Sequence, residues 1–119
     1  MKRDYRLYLD GILEAIGKIQ KYTKGLNEEE FKEDDKTVDA VIRNFLVIGE
    51  AAKHIPQRIR KKYPNIPWKE VAGMRDKLVH EYFGIRFDIL WKTINTRLPQ
   101  LRLLVDAVLK EMDEEMGEK

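Results

Sequence analysis

A chain of 119 residues, 43% hydrophobic and 37% charged, is sized and balanced for one folded domain with a single core; it is expected to span 1–119, with about 113–119 as a solvated tail. A formal charge of +2 permits a nucleic-acid partner without requiring one. With no cysteine and no serine in the chain, disulfides, thiolate metal sites and cysteine or serine nucleophiles are excluded.

Helical periodicity dominates. Tyr5, Tyr8, Leu9, Ile12, Ile16, Ile19 and Tyr22 recur at three- and four-residue steps, predicting an amphipathic first helix that Gly25 stops. Asn27 and Glu30 have the spacing of a capping box for a short turn through Phe31. Asp34 and Asp35 suit the N-terminus of the next helix, where negative charge is favoured. That helix carries a wide apolar stripe of Val38, Val41, Ile42, Phe45, Ile48 and Ala52, with Arg43, Asn44 and Glu50 in or beside it. His54 falls at its C-terminal end, a position that favours a cation. Pro56 opens a short basic helix, and "YPNIPW" breaks it. A helix from Trp68 to about Tyr82, ended by Gly84, is expected next. Asp88 starts another, which Pro99 must kink or divide because proline lacks the interior N–H donor. No strand-like alternation stands out, so the fold class is all-α: a four-to-five-helix, up-and-down bundle.

Charges at the N-terminus, where a secretion signal needs an apolar run, and the lack of any membrane-length apolar stretch suggest a cytoplasmic protein with no membrane partner. The lysine, arginine and glutamate content is also a weak thermophile cue. Two histidines without metal-ligand spacing give no metal site, and no glycine-rich phosphate loop is present; no cofactor is expected. Trp68 and Trp91 read as core anchors, and "RIRKKY" as a solvated face that would track a phosphate backbone only beside His80.

"MRDKLVHEYFG" is the stretch that invites chemistry. On a helical wheel Val71, Arg75, Leu78 and Tyr82 share one side, which places an arginine on an apolar stripe. His80 falls about 140° from Arg75, so the two converge only if the helix frays near Gly84 or a second copy faces the first. Asp76, four residues before His80, is positioned on a helix to orient the imidazole. A salt-bridged helix end explains the same residues without any chemistry.

The pattern R-x-x-x-x-H-x-Y, filled by Arg75, His80 and Tyr82, resembles the signature of the HEPN superfamily of small helical ribonucleases. "AVIRNFLVIGEAAKHIP", "NIPWKEVAGMRDKLVHEYFG" and "LPQL" extend the likeness to the HepT branch, the toxin half of HepT–MntA toxin–antitoxin pairs of the type VII kind. The resemblance implies an all-α fold that dimerises through the motif-bearing helices, placing two motifs along a shared cleft. It implies a metal-independent endoribonuclease acting on RNA, tRNA or mRNA, and leaving a 2′,3′-cyclic phosphate. His80 would be the acid–base, Arg75 the phosphate clamp and Asp76 a tuning residue, with Arg43, Asn44 and Glu50 in support. Tyr82 would receive AMP from a minimal nucleotidyltransferase antitoxin, adding charge and bulk beside the cleft. Two rival readings are a catalytically silent HEPN module that binds a nucleotide or the antitoxin, and a purely structural helical adaptor.

Overall fold

Short polar side chains set where the second and third helices begin. Asn27 accepts from the Glu30 N–H at 2.8 Å while the Glu30 carboxylate accepts from the Asn27 N–H at 3.0 Å, so the expected capping box is formed. Asp34 likewise accepts from the Thr37 N–H at 3.1 Å and from its hydroxyl at 2.7 Å. These hydrogen bonds, the hydroxyl's first, hold the Asp34 carboxyl below its ordinary pKa. In the computed structural model, which describes residues 5–80 and 84–117 (backbone alone at 79–80 and 116–117), these caps open α2, Glu28–Glu33, and α3, Asp35–Lys53.

Helix α1, Arg6–Thr23, packs along α3 and also meets α8, Leu98–Gly117. Leu9, Ile12, Ile16 and Ile19 of α1 are buried against Val41, Phe45 and Ile48 of α3 in one continuous core, as the periodicity predicts. Tyr22, counted on the same stripe, is exposed. Asn44 of α3 is buried and donates to the Ala40 carbonyl at 2.8 Å. Trp68 is buried with its indole N–H donating to the Tyr63 carbonyl at 3.0 Å, and Trp91 packs on Phe31 with ring centroids 5.3 Å apart. Both tryptophans are thus structural anchors.

The basic stretch is more than a solvated face. In α4, Gln57–Lys62, Arg60 donates to the carbonyls of Ala52 at 2.7 Å and Ile55 at 3.0 Å. It thereby satisfies carbonyls at and just beyond the C-terminal end of α3.

The interruption expected at Pro99 takes the form of a π-helical turn just before it. Helix α7, Phe87–Lys92, passes into a π-helical turn at Thr93–Arg97 and then directly into α8. The Leu98 N–H bonds back to the Thr93 carbonyl, and this wider turn falls just where Pro99 supplies no donor. Helix α8 extends through Gly117, so the solvated tail expected from about 113 is helical that far and exposed at 113–115. Arg6 pairs there with Asp113, and Lys62 with Glu115 at 3.2 Å.

The largest departure lies at the motif. In place of one helix from Trp68 to about Tyr82 there are two short ones, α5 at Trp68–Ala72 and α6 at Met74–Leu78, separated by Gly73. Two-residue strands follow, β1 at Val79–His80 and β2 at Gly84–Ile85, antiparallel with Val79 opposite Ile85 and His80 opposite Gly84. The Arg86 N–H closes the pair onto the Leu78 carbonyl at 2.9 Å. Gly84 has φ +75°, a left-handed conformation that glycine adopts freely, so its role is to reverse the chain rather than to cap a helix. The β-branched residues Val79 and Ile85 suit extended backbone, which is why helical periodicity misleads here.

Candidate active site

Helix α3 positions the motif-bearing element by direct contact. Gly49 is buried, and a Cβ built there would lie 3.0 Å from the carbonyl oxygen of Ala72 at the end of α5. Close backbone approach therefore holds the α5–α6 junction against α3, and Arg75 follows three residues later. The neighbours Val71, Met74 and Leu78 are buried, which fixes α6 in the core and leaves Arg75 half-buried, as expected for an arginine on an apolar stripe.

Arg75 is divided between two environments. Its Nη1 approaches the exposed Asp76 carboxylate at 3.7 Å, whereas its Nε is buried with no hydrogen-bond partner among the described residues. A buried, unpaired donor on a cation is costly unless another group reaches it. Arginine offers a planar set of donors that matches phosphate.

Because α6 ends at Leu78, Asp76 and His80 are not one helical turn apart, and the 140° separation drawn from a wheel no longer describes Arg75 and His80. The early helix end corresponds to the fraying alternative, and the wheel gives no argument for a second subunit. The His80 backbone is set in β1, opposite Gly84. Tyr82 lies outside the described residues.

The supporting residues separate. Arg43, Glu50 and His54 line an open groove of about 450 Å³ between α1 and α3, together with Leu7, Leu46 and Val47. Asn44 lies along the adjoining α1–α3 groove with Arg43, and its side-chain amide is turned to the Ala40 carbonyl. Arg75 lines neither groove. A different cleft of about 490 Å³ opens between α6 and the α7–π segment, with Lys77, Lys92 and Arg97 among its lining residues and Glu70 and Asp88 as counter-charges. Arg97 and Glu70 approach to 3.8 Å across it. Sequence spacing did not single out these cations, because the fold gathers them from three separate elements. Among the described residues no cluster of three or more histidine, aspartate and glutamate side chains is arranged to hold a metal, and no helix is long and apolar enough to cross a membrane.

The family model described as "Ribonuclease HepT-like" matches residues 12–108, a span that contains α3, the α5–α6 junction and the whole motif. The chain belongs to the HepT-like ribonuclease family. Within that family it is 43% identical over 113 residues to "Putative RNase MJ0125" of Methanocaldococcus jannaschii, covering 95% of this chain and 97% of the relative. It is 47% identical over 102 residues to "Probable ribonuclease HepT" of Thermococcus cleftensis, covering 86% and 93%. A third relative, "Putative RNase TTE0752" of Caldanaerobacter subterraneus, is 42% identical over 106 residues, covering 89% and 95%. No solved structure matches. This HepT-like chain therefore shares nearly its full length with proteins named as ribonucleases, and its predominantly helical fold agrees with the resemblance read from the motif.

Proposed function

We propose that this HepT-like protein is a metal-independent endoribonuclease, the toxin of a toxin–antitoxin pair, acting on tRNA or mRNA as a homodimer. The observation that carries the reading is Arg75: it stands five residues before His80 in the family motif, and its buried Nε has no hydrogen-bond partner among the described residues. The guanidinium itself is partly exposed, and a phosphate oxygen accepting from its exposed edge would offset its charge.

RNA brings its own nucleophile. His80 takes the proton from a 2′-hydroxyl as its oxygen attacks phosphorus, and Arg75 stabilises the charge that accumulates on the non-bridging oxygens. The P–O5′ bond breaks, the 5′-oxygen leaves with a proton from an imidazolium, and the products are a 2′,3′-cyclic phosphate and a 5′-hydroxyl. A homodimer supplies two copies of His80 for the two proton transfers. Asp76, paired with Arg75, sets the orientation of the guanidinium in this scheme. AMP transferred to Tyr82 by a cognate nucleotidyltransferase antitoxin would add negative charge and bulk beside the cleft and repel RNA.

The test is cleavage of tRNA and mRNA by the purified chain in EDTA, beside Arg75→Ala and His80→Ala. Wild type should release cyclic-phosphate ends, and both variants should fall by about a hundredfold or more. Equal, absent cleavage in all three would overturn the nuclease assignment and leave a silent binding module.

A further inference from the structure

The cleft of about 490 Å³ between α6 and the α7–π segment has the size of a small-ligand site, and the chemistry proposed above leaves it unused. Met74, Leu78 and Ile89 give it an apolar wall, with Glu70, Lys77, Asp88, Lys92 and Arg97 around it. Three of these charges are already paired. Arg97 approaches Glu70 at 3.8 Å, and Asp88 accepts from Arg86 at 3.4 Å. The Arg86 contact, with a backbone hydrogen bond from Ile89, holds the Asp88 carboxyl below its ordinary pKa, so it stays an anion matched to its own arginine. Lys77 and Lys92 remain, both exposed and with no ion-pair partner among the described residues.

One lysine on α6 and one on α7, either side of an apolar wall, fit a ligand that joins a phosphate to a flat apolar face. Two threonines narrow the choice. The Thr93 hydroxyl donates to the Ile89 carbonyl at 2.7 Å and the Thr96 hydroxyl to the Lys92 carbonyl at 2.6 Å, so both oxygens are left only to accept. Both belong to the π turn, a rare backbone form that concentrates at functional sites. The exocyclic amino group of adenine or cytosine supplies the donor they lack, whereas uracil presents a carbonyl oxygen in the same place. We propose that the cleft is a subsite for one unstacked nucleotide of a single-stranded RNA. Its base lies on Met74, Leu78 and Ile89, its phosphate meets Lys77 and Lys92, and its amino group donates to Thr93 or Thr96.

The cleft adjoins the motif. Met74 immediately precedes Arg75, and two residues of extended strand, about 7 Å, lead from Leu78 to His80. A strand with one base in the cleft therefore continues toward the hairpin that carries His80. The thioether of Met74 suits the face of a base, as sulfur packs favourably on π systems. A paired base keeps its faces stacked within the duplex, so the subsite requires a loop, a bulge or an end. The inference rests on the reading of this chain as an enzyme acting on RNA, and adds to it a preference for single strands and for amino-bearing bases.

Fluorescence anisotropy of the full-length chain with labelled 2′-O-methyl octanucleotides of adenosine, cytidine or uridine tests it, because these strands lack the nucleophile and survive the assay. The adenosine and cytidine strands should bind about fivefold more tightly than uridine, and a fully paired duplex about tenfold more weakly than single strands. Lys77→Ala and Lys92→Ala should each weaken every strand about fivefold and lower the slope of log affinity against log salt by about 0.7. Lys110→Ala, which removes an exposed cation of α8, should change affinity by less than about twofold. The double variant Thr93→Val/Thr96→Val keeps the shape and should retain uridine binding while losing the preference for amino-bearing bases. Circular dichroism and melting check the fold of each variant, and the exposed lysines carry the test if the threonine pair proves necessary for folding. Absence of binding, equal affinity for all three strands, a duplex bound as tightly as a single strand, or lysine variants no weaker than Lys110→Ala would each overturn the subsite. A chain that shows these preferences and cuts nothing keeps the subsite and loses the nuclease assignment. A chain that cuts RNA and ignores these substitutions does the reverse, so the two failures are distinguishable.

Discussion

Gly49 offers the sharpest test of how the fold positions the motif. In a helix interior, alanine is favoured over glycine by about 1 kcal/mol, so Gly49→Ala should stabilise if helix propensity alone mattered. The built Cβ, however, lies 3.0 Å from the Ala72 carbonyl oxygen, where ordinary van der Waals contact begins at 3.4 Å. The obstacle is backbone, and the backbone is fixed by buried Val71 and Met74 on either side of the α5–α6 junction. Overpacking of this kind costs about 1–3 kcal/mol, which outweighs the propensity gain and leaves Gly49→Ala less stable by about 1 kcal/mol. Gly17 in α1 is the internal control, because a Cβ there meets nothing within 4 Å. Gly17→Ala should therefore gain about 1 kcal/mol. The two variants should differ by about 2 kcal/mol, or roughly 8 °C in melting temperature for a chain of this size. Urea and thermal unfolding followed at 222 nm would measure this directly. Gly49→Ala stabilised as much as Gly17→Ala would refute the close-approach argument, and with it the claim that α3 sets the position of Arg75.

Four further outcomes follow from other parts of the structure. Arg60→Ala should cost about 2 kcal/mol by urea unfolding, because it strips two charge-assisted hydrogen bonds from the C-terminal end of α3, and Arg60→Lys should recover only part of that. Among the described residues the Tyr63 hydroxyl is buried with no hydrogen-bond partner, and burial pushes its pKa up; Tyr63→Phe should therefore be neutral or stabilising by about 1 kcal/mol, read as a melting shift of up to about 4 °C. The Asp34 cap stabilises the fold above its ordinary pKa of 3.8 and loses that effect as pH falls through the lower folded value, so the melting gap between wild type and Asp34→Asn should be wide at neutral pH and close below pH 3.8; a pH-independent gap would contradict it. Incubation with a cognate nucleotidyltransferase and ATP should add AMP mass to the wild type and not to Tyr82→Phe, and an unchanged wild-type mass would reject the modification proposed at Tyr82.

Local chemistry makes much of this protein legible without coordinates. Caps at Asn27 and Asp34 depend on side chains reaching backbone groups three residues away, so spacing is enough to read them. The buried stripes of α1 and α3 follow from the 3.6-residue repeat, and the spacing of Arg75, His80 and Tyr82 carries the family resemblance directly. Tertiary structure decided the rest. Whether "MRDKLVHEYFG" continued as a helix depended on a close helix crossing at Gly49 and on strand pairing between residues on either side of 81–83, neither of which periodicity encodes. Arg60 looked like one cation among several because its acceptors belong to the preceding helix and its C-terminal turn. The exposed residues of α3 from Asp39 to His54 share one helix with its buried stripe. Residue order determines which side chains share a helical face, but only packing against α1, α5 and α6 decides which face remains open to a partner.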